Sequence, residues 1–134
     1  MGRAVLLAGG SYFLVPGILF AELAGRAASP QGRFAWRLGA WLLSVCIFAA
    51  HLGHERLRLR HPALFTARNV ALAVALGACA LAAAALVRAL VTGTGKPQLL
   101  ALALVLWPVL SGVPAFAVAW AATTVIGGGR RERA

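Results

Sequence analysis

The sequence predicts an all-α integral membrane protein, a bundle of four transmembrane helices. Three observations predict it. Of 134 residues, 61% are hydrophobic and only 12% are charged, whereas a soluble domain is about half apolar and about a quarter charged. Mean hydropathy is +0.85, so a water-soluble fold would expose apolar patches large enough to aggregate. The apolar residues also collect in four runs, near 4–23, 34–54, 70–91 and 99–126, separated by short stretches of Gly, Pro and Arg. No polar stretch is long enough for a second domain, and residues 1–134 read as one four-helix transmembrane domain.

The first run, Ala4 to Leu23, is long enough as a helix to cross a hydrocarbon core of about 30 Å. Pro16–Gly17 predicts a kink. Glu22 lies at the far end, at interface depth. Ala24, Ala27 and Ala28 offer a small-residue cleavage site, the rival reading being a signal peptide. The run is longer than a signal-peptide core and only Arg3 precedes it, so a retained span is expected.

A polar link, Gly25 to Arg33, leads into the second run. Arg37 sits in its first turn, where a guanidinium snorkels to the headgroups. Trp36 and Trp41 suit the aromatic belt at that end. The run passes into the most polar stretch of the chain, His51 to Asn69. His61 precedes Pro62 and is biased away from helix, so the second helix is expected to project from the membrane and stop near Arg60.

The third run, Val70 to Val91, is Ala-rich. Ala73, Gly77, Leu81 and Ala84 share one face by spacing. Small residues let helices approach closely in lipid, so this helix is expected to be the most buried. Thr92 to Gln98 is a loop rich in breakers. The fourth run, Leu99 to Ile126, holds Trp107–Pro108, Ser111–Gly112 and Pro114. A helix so long and so interrupted is expected to tilt, kink or locally unwind. A basic tail, Gly127 to Ala134, follows.

The formal net charge is +10. Strongly basic domains often bind nucleic acid, but these residues sit at the ends of apolar runs rather than along a face, so no nucleic acid is expected. Twelve of the thirteen are Arg, which with the Ala-rich background fits a GC-rich bacterial genome. Under the positive-inside rule, four spans place Arg3, Arg56, Arg58, Arg60, Arg68, Arg130, Arg131 and Arg133 on one side. Arg26, Arg33, Arg37, Arg88 and Lys96 fall on the other. The expectation is a cell (inner) membrane protein with both termini cytoplasmic.

The search for chemistry narrows to a few positions. His54–Glu55 opens like a zinc-protease helix, but HExxH needs a second His where Arg58 stands. A looser metal set remains: His51, His54, Glu55 and Arg58 fall on one helical face by α-helical spacing, and His61 is the nearest further ligand. The competing reading is a group of interfacial polar residues touching lipid phosphates and one another. Gly93–Lys96 lacks the rest of a phosphate-binding loop, and Ser111 is not in a GxSxG elbow. The chain contains no Asp, which excludes Asp-based triads and dyads. Cys46 and Cys79 form no CxxC and read as small apolar filler. No cofactor is expected.

Small four-helix multidrug transporters carry a membrane-embedded Glu in their first helix. Glu22 stands at the end of its span instead, and Phe20 to Ala24 does not match that helix, so no family is assigned. Three classes of function remain. The leading one is an accessory or scaffolding subunit that packs with other membrane helices in a homo- or hetero-oligomer, its partners being those helices and the lipid bilayer. The second is a small oligomeric transporter or channel, suggested by the interrupted fourth helix and Ser111. The third is a metal-binding protein or enzyme built on His51, His54, Glu55 and His61. The first two need no enzyme, and the balance leans that way. Glu22 and Arg58 are further candidate functional positions.

Overall fold

The computed structural model describes residues 2–128, and the side chains of residue 10 and of residues 14–125. Four long helices account for nearly all of it: α1 (Gly2–Arg26), α2 (Pro30–Gly53), α3 (Ala63–Thr92) and α4 (Pro97–Gly128). A π-helical turn, His54–Arg58, extends α2. The all-α, four-helix reading of the sequence holds. Three of the helices, α2 with its π turn, α3 and α4, are long and apolar enough to cross a membrane. Residues 129–134, including Arg130, Arg131 and Arg133, and the side chain of Arg3 lie outside the described residues.

The helix ends follow from local chemistry. Ser29 caps α2, its hydroxyl accepting from the Gly32 N–H at 3.0 Å, and Pro30 opens the helix where no N–H is needed. Gly93, at φ +66, ends α3 in the left-handed conformation that glycine tolerates. α3 begins at Ala63 rather than at Val70, because Pro62 can start a helix it could not continue. α4 runs unbroken through Pro108 and Pro114, as α1 does through Pro16. The proline sites therefore open no helix and offer no unwound backbone.

The helices pack as a row rather than a closed ring. α3 has its largest interface with α4 and its next largest with α1; α2 leans mainly on α1 and touches α3 lightly. α3 is the most buried of the three helices long and apolar enough to cross a membrane. Its Ala73, Ala78 and Ala82 carry almost no accessible surface, and these small side chains let α1 and α4 approach from either side. Ala84 departs from expectation and is exposed. Its face has rolled outward by that depth, where Ala82 and Ala89 point inward instead. Where the tip of α2 meets α3 and α4, Leu52, Ala67, Val70 and Ala119 form an apolar cluster, flanked by Phe48, Phe116 and Ala122.

Candidate functional site

The α2–α3 connection builds a polar centre directly against that cluster. The α-helical ladder of α2 widens at His54. The Leu59 N–H donates to the His54 carbonyl at 3.2 Å, an i→i+5 bond. Widening the turn changes which side chains face inward. Glu55 is completely buried, while His54 and Arg58 are exposed. Single π turns inside helices are rare and concentrate at functional sites.

Reversal of the chain then fixes His61. Arg60 adopts φ +53, an uncommon conformation for a side-chain-bearing residue. The His61 N–H donates to the Glu55 carbonyl at 3.3 Å. The His61 carbonyl accepts from the Arg56 guanidinium at 2.9 Å and, more weakly, from the Thr66 hydroxyl at 3.5 Å. With its backbone held, the imidazole turns back along α2, and Nδ1 lies 2.5 Å from Oε2 of Glu55. The contact is a side-chain hydrogen bond in which the imidazole N–H donates to the carboxylate.

Asn69, the chain's only asparagine, completes the centre from the second turn of α3. Its Nδ2 donates to Oε1 and Oε2 of Glu55 at 3.4 and 3.5 Å, two long bonds shared by one amide. Asn69 and Thr66 are themselves buried. An unpaired buried carboxylate costs several kcal/mol; here both oxygens of Glu55 have donors. The side chain of His61, one-third exposed, is the part of the Glu55–His61 pair that reaches the outside. It is covered edge-on by Phe65, with ring centroids 4.7 Å apart, and the Arg68 guanidinium lies 5.0 Å from the Phe65 centroid.

The structure thus brings Glu55 and His61 together and leaves His54 and Arg58 outside. His51, one turn before Glu55, keeps a buried Nε2 with no hydrogen-bond partner among the described residues. Among the described residues no three of His, Cys, Asp and Glu converge on a common point, whereas a zinc site needs at least three protein ligands. Cys46 and Cys79 are both free.

The other candidates lie elsewhere. Glu22 is taken up by an ion pair with Arg88, at the opposite end of α3 from Glu55. Ser111 is half-buried on α4 beside Gly112, which sits closely over Ala71 and Ala75 of α3. Sequence reasoning missed Asn69 and Thr66 as members of the centre. The available signal was a lone asparagine heading an otherwise apolar run, where an amide needs a partner. No protein-family model, curated protein or solved structure matches the chain.

Proposed function

We propose that this chain is an accessory or scaffolding protein of a bacterial cell membrane that works by packing against other membrane helices. The observation that carries the reading is the complete burial of Glu55 at its polar centre. Glu55 is fully buried, and its carboxylate is satisfied by His61 and Asn69 of the same chain. A catalytic carboxylate must meet its substrate, and a transport carboxylate must meet its ion. A buried carboxylate that is satisfied within its own chain instead rigidifies a fold and fixes one arrangement of its helices. Here it clamps the α2–α3 reversal.

Two further features support the reading. α2 contributes one buried residue, Leu52, and leaves Trp41, Leu42 and Val45 on open faces, so most of its surface is free for lipid or for a partner's helix. The unbroken α4 withdraws the feature that favoured a transporter. The basic residues favour an orientation with both termini in the cytoplasm and the polar centre on that side.

The test is photocrosslinking in native membranes, with the probe placed singly at Val45 of α2 and at Val118 of α4. The expected result is a discrete protein adduct from at least one face, its mass distinguishing a second copy from a different polypeptide. Adducts with lipid alone from both faces would overturn the proposal.

A further inference from the structure

We infer that the groove between α1 and α2, at the end opposite the polar centre, is a binding site for an anionic phospholipid. The groove encloses about 400 Å³ and is floored by Ala21, Ala24 and Gly25 of α1, a size within the range of small-molecule sites. Phe20 also lines it, and α2 contributes Arg33 and Arg37, both exposed. The two arginines are four residues apart and project from one helical face. They occupy the first two turns of α2, the depth of the headgroup region for a helix that starts at Pro30.

Charge decides the occupant. The two carboxylates among the described residues are engaged elsewhere, Glu22 with Arg88 and Glu55 with His61. Arg33 makes one long bond to the Ala27 carbonyl, at 3.5 Å, and its other N–H groups remain available. Two guanidiniums with no acid partner among the described residues therefore line a trough of small, apolar side chains. A phosphate between Arg33 and Arg37 matches their planar, forked donors. An acyl chain matches the trough. A lipid of net negative charge leaves no ammonium to repel the arginines, so it binds in preference to a zwitterionic one.

The experiment is native mass spectrometry of the full chain in mild detergent, titrated separately with phosphatidylglycerol, phosphatidylcholine and inorganic phosphate. Phosphatidylglycerol should bind roughly tenfold more tightly than phosphatidylcholine, the scale of one charge-assisted hydrogen bond. The double variant Arg33→Gln/Arg37→Gln should level the two lipids. Both side chains are exposed, so its helical circular dichroism should be unchanged. Gly25→Leu should weaken both lipids by filling the trough. A Cβ at Gly25 meets nothing within 4 Å, so packing is not disturbed. Arg58→Gln, at the other end of α2, should leave the preference intact. Equal binding of the two lipids to the native chain would overturn the inference. A preference that survives the double variant, or displacement of the lipid by inorganic phosphate alone, would do the same.

Discussion

His61 and Glu55 are held 2.5 Å apart by a backbone that first widens into a π turn and then turns left-handed at Arg60. Neither feature is a low-energy default for L-residues. Together they carry His61 back to the buried carboxylate of Glu55. Glu55→Ala removes that carboxylate and leaves Asn69 without its acceptor and His61 without its partner. A loss of about 2–4 kcal/mol is expected, read as a fall in midpoint in a detergent unfolding titration. Glu55→Gln keeps an amide in place and should cost less than half as much. His54→Ala, at an exposed position, should be silent. A Glu55→Ala protein as stable as the parent would show that the centre is not a clamp.

The contact between Gly17 and Leu81 makes a second expectation. A Cβ on Gly17 would lie 2.7 Å from both methyl carbons of Leu81, closer than packed carbons allow. Gly17→Val should therefore cost about 1–3 kcal/mol by overpacking, and Leu81→Ala in the same chain should recover part of it. Strictly additive effects in this pair would contradict the α1–α3 packing. Along α3, Gly77→Leu should lower monodispersity in mild detergent, whereas Ala84→Leu should not, since Gly77 is buried and Ala84 exposed.

The Glu22–Arg88 pair ties the ends of α1 and α3, with both side chains substantially exposed. Exposed pairs contribute no more than about 1 kcal/mol. Glu22→Gln and Arg88→Gln should each have a small effect, and the double variant should lose no more than either alone. A much larger loss from Glu22→Gln, unmatched by Arg88→Gln, would reveal a second role for the carboxylate.

Orientation is open to labelling. With Cys46 and Cys79 replaced, a cysteine at Pro62 should react only when a membrane-impermeant reagent reaches the cytoplasmic face. A cysteine at Thr94 should react from outside. The reverse pattern would invert the proposed topology.

Much of the fold was legible in the sequence because its determinants are local. Apolar run length set the helices, the breakers after Thr92 set the end of α3, and the Ala content of α3 announced its burial, whereas α2 starts at Pro30, inside the expected polar link. The centre was half legible. Polar side chains crowd there in the sequence, and the structure brings Glu55, His61 and Asn69 of that stretch together. The facing of its members was not legible, because α-helical spacing groups His51, His54, Glu55 and Arg58 on one side. A π turn breaks that spacing, and nothing in His-Glu-Arg-Leu-Arg signals a π turn by composition. Glu55 meets Asn69, fourteen residues away, and a contact between helices leaves no periodic trace in either.

The row arrangement also has a consequence for how the protein is made. α4 rests chiefly on α3 and leaves the ribosome after it. Until it arrives, the side of α3 that carries Ala71 and Ala75 has only lipid or the insertion machinery to face. Glu55 and Asn69 belong to α3 and the turn before it, so the clamp can close on a three-helix nascent chain. The largest interface between the described helices forms only once α4 has emerged. Membrane insertion of this chain is therefore a docking event onto a prepared platform, and a ribosome stalled shortly after Pro97 would leave that platform bare.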